Sequence, residues 1–169
     1  MSPADVDAIA AGDDRLKLDE RQFRDLLARV AEGWSTGNPR QAVEAFTEDA
    51  VYVEPPDRQR YVGREELYAF FHGGGPSARP MRMTWHAIAF DRERQTGFGE
   101  YTFQRPGLQL HGIVTVTLAG GRIASWREYQ YRSDRSFEDF AGDSLRAAPG
   151  SAQQPARPGD EVGLESYRS

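Results

Sequence analysis

The chain has 169 residues, 38% hydrophobic and 11% aromatic, which is enough for one domain with a buried core. A formal net charge of −5, with Lys17 the sole lysine, argues against a nucleic-acid surface, which needs clustered Lys and Arg. The absence of cysteine excludes disulfides, thiol nucleophiles and thiolate metal sites.

Residues 1–18 are polar and acidic, and they read as a loose arm or a short helix. The segment Met1-Ser2-Pro3-Ala4-Asp5-Val6-Asp7 has no basic region and no long apolar run, so neither a signal peptide nor a membrane span is expected, and the default address is cytoplasmic. Phe23, Leu26, Leu27, Val30 and Trp34 then fall on one helical face, with Asp19 as N-cap and Gly37 as stop. Asn38-Pro39 starts a second short helix through Ala42, Val43 and Phe46. Ala50–Glu54 reads as a strand ended by Pro55-Pro56. Gly63-Arg64-Glu65-Glu66 opens a third helix carrying Leu67, Phe70 and Phe71, and Gly73-Gly74-Gly75-Pro76 ends it as a flexible lid.

From Met81 the pattern changes to four strand-like runs: 81–90, 96–104, 108–118 and 122–131. Turn-like Asp91-Arg92-Glu93-Arg94, Pro106-Gly107 and Ala119-Gly120-Gly121 separate them, so an antiparallel meander is predicted. Ser136–Phe140 adds a last short helix or clasp. The domain is therefore expected over residues 19–143, with residues 144–169 a disordered tail rich in Pro, Gly, Ser and charge. Helices segregated from an antiparallel sheet define an α+β fold. A strongly bent antiparallel sheet wrapped around the N-terminal helices makes a cone-shaped α+β barrel with a cavity at one end, suited to a small apolar ligand.

Two glutamates interrupt strands that are otherwise largely apolar: Glu100 in Gly97–Phe103 and Glu128 in Ser125–Tyr131. Period-two alternation puts each on one definite sheet face, and a carboxylate on the covered face is costly unless it is paired, hydrogen-bonded or protonated. If Tyr52 and Glu54 face inward, the expected inner set is Glu100 with Phe98 and Thr102, Glu128 with Trp126 and Gln130, and His111 with Ile113 and Thr115. Carboxyls gathered there cannot all ionise, so one stays protonated beside a base. Each residue also has a structural alternative. Glu128 would pair outward with Arg127, Glu54 would be a solvated strand end, and His86 and His111 would be satisfied structural histidines. Trp85 and Trp126 read as core or pocket wall, and Tyr52 as a pocket donor. His72, His86 and His111 lack tight ligand spacing, so no metal site is expected.

The segments Trp34-Ser35-Thr36-Gly37-Asn38, Phe46–Tyr52, Tyr61–Leu67 and Gly121–Tyr129 resemble the nuclear transport factor 2-like superfamily, and within it the SnoaL-like group, over about residues 20–140. The resemblance implies the conical fold, and a fold that hosts isomerases, epoxide hydrolases, cyclases, dehydratases and non-catalytic modules. Tyr52-Val53-Glu54 is similar to the Tyr-x-Asn that holds the attacking water in limonene epoxide hydrolase-like enzymes, with Glu54 in place of Asn. Phe98-Gly99-Glu100 is similar to their Arg-x-Asp, with Phe98 in place of Arg, and Glu128 to their last-strand Asp. Glu54-Pro55 also resembles the proton-shuttle element of ketosteroid isomerase-like enzymes. The oxyanion donors of that group have no clear counterpart, the nearest later-strand polar residue being His111.

The expected function is cofactor-free acid–base catalysis on a small, mostly apolar substrate. The catalytic candidates are Glu54, Glu100, Glu128 and His111, and the substrate-binding candidates are Tyr52, Trp85, His86, Phe98 and Trp126. The rival is a ligand-binding or dimerisation module without chemistry. In either case Arg127, Tyr129, Tyr131, Tyr101 and Phe103 are expected to form an aromatic outer face that pairs two copies of the chain.

Overall fold

The computed structural model describes residues 16–54, 59–72 and 81–146. Helix α1, Glu20–Ser35, opens with a reciprocal cap: Asp19 accepts from the backbone of Gln22 at 2.8 Å, and the Gln22 side chain accepts from the backbone of Asp19 at 2.8 Å. Its buried stripe is the one read from the sequence, Phe23, Leu26, Leu27, Val30 and Trp34. Beyond the stop at Gly37, Asn38 caps helix α2, Pro39–Glu44. Phe46 is not in this helix, as the spacing suggested, but opens strand β1, Phe46–Val53. Long-range pairing decides this: the Ile123 amide donates to the Ala45 carbonyl at 2.9 Å, and Phe46 stands beside Ile123 in the sheet.

A short strand β2, Arg60–Val62, was not anticipated from the sequence; it precedes helix α3, Gly63–His72. Four long strands follow: β3 Arg82–Asp91, β4 Thr96–Arg105, β5 Leu108–Ala119 and β6 Arg122–Arg132. They form one curled, unclosed sheet in the order β2-β1-β6-β5-β4-β3. The expected meander covers β3 to β6, all antiparallel, whereas β1 lies parallel to β6. Gly120 (φ 56°) and Gly121 (φ 74°) close the β5–β6 hairpin in a two-residue turn where both residues need positive φ.

The face of the sheet that α1 covers is the inner face. A Cβ on Gly97 would lie 2.5 Å from the Phe23 ring, so bare backbone on β4 admits the helix. On β3 the register shifts between Trp85 and Ala87, a bulge at His86. The extra residue lets both Trp85 and Ile88 turn toward the core although three positions separate them.

Contacts divide the chain after Arg135. In the second unit the described element is helix α4, Phe137–Arg146, whose first turn is capped by Ser136 Oγ accepting from the Asp139 amide at 3.2 Å. It is longer than the turn anticipated at 136–140 and takes in the first residues assigned to the tail. The arm at 1–15, the Pro55-Pro56 strand end, the glycine lid at 73–76 and the rest of the tail lie outside the described residues.

Candidate functional site

Glu128 is on the inner face of β6, 2% exposed, in a chain segment where Trp126 and Gln130 share its side. Three donors and one shared phenol meet its two oxygens. Oε1 accepts from Trp126 Nε1 at 2.6 Å and lies 3.1 Å from Tyr52 Oη, whose single hydrogen also faces Glu54, and Oε2 accepts from Tyr101 Oη at 2.6 Å and from Gln130 Nε2. That set satisfies an ionised carboxylate. Among the described residues no cation pairs with it. Burial, with the charge of Glu54 adding to it, raises its pKa to about 7, and the hydrogen bonds from Tyr101, Trp126 and Gln130 oppose the rise.

Glu54, half-buried just past the end of β1, is the second carboxyl of the site. Its Oε2 accepts from Tyr52 Oη at 2.7 Å and its Oε1 from Gln130 Nε2 at 2.6 Å. Tyr52 and Gln130 therefore both bridge Glu54 to Glu128. Tyr52 is fully buried and stacks on Trp126, ring centroids 6.0 Å apart and 8° from parallel. The parallel pairing of β1 with β6 sets Tyr52 directly beside Trp126. Burial first, then the charges of Glu128 and Glu54, holds the Tyr52 phenol far above its ordinary range, and burial with Glu128 does the same to Tyr101. Both phenols are neutral donors at every physiological pH.

Tyr101 reaches Glu128 from two strands away, across β5. Its neighbour there is Gly112, itself beside Gln130. A Cβ on Gly112 would lie 2.7 Å from Tyr101 Oη, so the missing side chain is what lets the phenol pass. Gly99 does the same for the wall: a Cβ there would lie 2.4 Å from the Trp85 ring. Trp85 in turn is held by its indole N–H donating to the Leu27 carbonyl at 3.3 Å, and its ring sits edge-on to Tyr101 and Trp126. Trp34 and Phe71 add further edge contacts around Trp126 and Tyr52.

Five of the nine residues nominated from the sequence fall outside this pair or its immediate donors. Glu100 is on the outer face, half-buried, with Phe98 (51% exposed) and Thr102 beside it. The face expected for β4 was inverted. Its inner positions are Gly97, Gly99, Tyr101 and Phe103, two of them glycines whose space is filled by rings from elsewhere, so hydrophobicity along the strand gave no signal. The same holds for His111, which shares the outer side with Ile113 and Thr115, yet is only 2% exposed. It is covered by a chain of hydrogen bonds: His86 Nε2 to Thr102 Oγ1 at 2.7 Å, Thr102 Oγ1 to His111 Nδ1 at 2.9 Å, and His111 Nε2 to the Arg135 carbonyl at 3.0 Å. Burial holds His86 below the usual imidazole range, against the charge of Glu100. Glu54, Glu128 and Tyr52 come together, Trp126 donates to Glu128, Trp85 walls the inner side, and Glu100, His111, His86 and Phe98 lie across the sheet. Tyr101 was read as an outer aromatic and is an inner donor, and Phe103 likewise packs against the core.

A cleft of about 700 Å³ lies elsewhere, lined by α1 residues Gln22, Asp25 and Arg29 with Glu44, Arg64 and Arg122; no nominated site residue lines it. Among the described residues no group of three or more His, Asp or Glu is placed to hold a metal ion, and no helix is long and apolar enough to cross a membrane.

A curled sheet on a helical layer, with ionisable groups on its inner face, defines the nuclear transport factor 2-like class of α+β domains. The chain belongs to the SnoaL-like domain family, which it matches over residues 27–126, more than half its length. No curated protein sequence matches it. Among solved structures it is similar to a protein of unknown function with a cystatin-like fold from Methylobium petroleophilum (TM-score 0.60, 16% identity, 84% of this chain and 99% of that one). It is also similar to an epoxide hydrolase resembling limonene epoxide hydrolase from M. tuberculosis (TM-score 0.56, 18% identity, 66% and 84%). A Δ5-3-ketosteroid isomerase from Mycobacterium sp. aligns comparably (TM-score 0.55, 15% identity, 66% and 98%). At these identities the likeness establishes the fold. Structures of this fold thus include isomerases and epoxide hydrolases.

Proposed function

We propose that the protein is a cofactor-independent acid–base enzyme, cytoplasmic and homodimeric, that acts on a small, mostly apolar molecule by isomerisation, cyclisation, dehydration or epoxide opening. The observation that carries this reading is Glu128: a buried carboxyl with three donors and a shared phenol, no cation beside it among the described residues, and a second carboxyl one hydroxyl away. A group with a pKa of about 7 gives and takes a proton at neutral pH with little driving force lost in either direction, which is what general acid–base work requires. Ionised, Glu128 abstracts a proton; protonated, it donates one to a leaving or developing oxygen. Tyr52, as a neutral donor, stabilises whichever of the two carboxyls is charged, and Tyr101 stabilises the Glu128 anion. Indole and phenyl rings around them keep water scarce and strengthen each of these interactions.

Turnover is to be measured on a panel of small epoxides and β,γ-unsaturated ketones between pH 5 and 9. kcat/KM should inflect near pH 7 for any member accepted, and Glu100→Gln should leave it within a few-fold. No turnover across the panel, or a pH profile without that inflection, would overturn the assignment.

The outer face supports the homodimer. Phe98, Ile113 and Tyr129 are 51%, 47% and 49% exposed, and Ile113 pairs directly with Tyr129. An apolar patch of this kind in water favours a partner surface, and a second copy supplies a matching one. Light scattering of the wild-type chain should give twice the monomer mass, and Ile113→Glu should return it to one. A wild-type monomer at tens of micromolar, a concentration typical of the assay, ends this part of the reading.

A further inference from the structure

We infer that the Tyr52 hydroxyl is a two-way proton relay between Glu128 and Glu54, held in register by Gln130. The argument is a count of hydrogens, and it rests on the acid–base reading of the site above. Tyr52 Oη is 2.7 Å from Glu54 Oε2 and 3.1 Å from Glu128 Oε1, but a phenol has one hydrogen. It can satisfy one of the two carboxyl oxygens by donation. The other contact is a hydrogen bond only when that carboxyl is itself protonated and donates to the phenol oxygen. With one proton shared by the pair, the cluster therefore has two hydrogen arrangements. In one, Glu128 is the acid and donates to Tyr52, which donates to the Glu54 carboxylate. In the other, Glu54 is the acid and donates to Tyr52, which donates to the Glu128 carboxylate.

Passage from the first to the second moves one proton from Glu128 to the phenol oxygen while the phenol's own proton leaves for Glu54. One O–H bond breaks and one forms at each end, the net result is a single proton carried between carboxyls, and no tyrosinate is formed. The two transfers must be concerted, because burial and the flanking carboxylates make a free phenolate inaccessible.

Gln130 fixes which oxygens take part. Its amide nitrogen has two hydrogens, and the structure directs them to Glu54 Oε1 and Glu128 Oε2, the two oxygens that do not face Tyr52. The result is a closed ring: Glu54, Tyr52, Glu128, Gln130. Trp126 and Tyr101 occupy the remaining acceptor positions of Glu128, so its proton has one hydrogen-bonded way out. The relay matters because Glu128 is sealed while Glu54 is half-buried at the strand end. The titratable groups facing Glu128 are Tyr52 from β1, Glu54 beyond it and Tyr101 from β4. Tyr61 from β2 faces Glu54, and burial followed by that charge raises its phenol. Gln130 is thus a positioning residue, and Tyr52 carries the proton.

The test needs no substrate. Protein labelled with carbon-13 at the glutamate side-chain carboxyl is titrated by NMR from pH 5 to 9. In the wild type the Glu128 signal should be one resonance that moves through a midpoint near 7, because the relay exchanges its proton quickly. Tyr52→Phe cuts the path and should slow exchange at least tenfold, giving two resonances, acid and anion, that trade intensity. Tyr101→Phe also removes one phenol donor from Glu128 but lies off the path, so it should keep a single moving resonance. Glu54→Gln cuts the far end and should reproduce the two-resonance behaviour, which keeps the test open if Tyr52→Phe fails to fold. A single averaged resonance in Tyr52→Phe or Glu54→Gln, or splitting in Tyr101→Phe as well, overturns the relay. Failure of the substrate panel with these exchange results intact would instead overturn the enzymatic reading alone.

Discussion

Glu128→Gln should lower turnover by about 10²–10⁴-fold and, independently, flatten part of the stability–pH curve. The kinetic loss follows because an amide neither takes nor gives the proton and presents one acceptor oxygen to Trp126, Tyr101 and Gln130, which now donate to two. The thermodynamic effect has a definite sign. The folded protein holds the Glu128 proton up to about pH 7, whereas the unfolded chain releases it near the ordinary value of 4.5. Below 4.5 both states are protonated and the group's contribution is fully present. Between there and 7 the folded state binds more protons, so stability falls as pH rises, by about 3 kcal/mol across the window. Above 7 no further change comes from this group. Urea unfolding of wild type and Glu128→Gln at several pH values between 4.5 and 8 should show the wild type losing about 3 kcal/mol relative to the variant as pH rises through that window. Parallel curves would show that Glu128 titrates like an exposed glutamate. Burial sets the size of the effect, since exposed carboxylates with partners usually have lowered values and the opposite slope.

Gly112→Ala should destabilise the domain by about 1–3 kcal/mol and disturb the site at a distance. The added Cβ would fall 2.7 Å from Tyr101 Oη and 2.7 Å from the Tyr129 carbonyl. The phenol could swing aside, but the carbonyl belongs to the β5–β6 ladder and cannot, so strain remains whichever way the side chain moves. Displacing Tyr101 also removes a hydrogen bond that favours the Glu128 anion, so the Glu128 midpoint should move upward from about 7. Thermal unfolding reads the first consequence and the carbon-13 titration the second. A variant with wild-type stability and an unmoved midpoint would mean that Tyr101 does not depend on Gly112 for its path to Glu128.

The two effects connect packing to chemistry through one strand position. β5 contributes no ionisable group to the site, yet its glycine determines whether a phenol two strands from Glu128 can touch it. The outer-face chain His86–Thr102–His111 shows the same economy of space on the other side, where a buried imidazole bonds a hydroxyl and a backbone carbonyl.

Local sequence was sufficient wherever a single element's own periodicity or a capping residue carried the information. The α1 stripe from Phe23 to Trp34, the caps at Asp19 and Asn38, the stop at Gly37 and the four long strands with their turns were all legible, because each depends on residues within one or two helical turns or one hairpin. The inward aspect of Glu128 with Trp126 and Gln130 was also legible from alternation, given the likeness of Gly121–Tyr129 to known domains. What alternation could not give was the face of β4 and β5, because Gly97, Gly99 and Gly112 occupy inner positions that rings from α1, β3 and β4 fill. Nor could it give the early start of β1 or its parallel alliance with β6, which rest on partners some 75 residues away, or the three-residue β2, which exists only through its pairing with β1. Sequence by itself thus determined the elements and the presence of costly acids within them. Only the tertiary structure decided which acids share a proton, since that depends on where backbone without side chains lets aromatic groups cross from one strand to another.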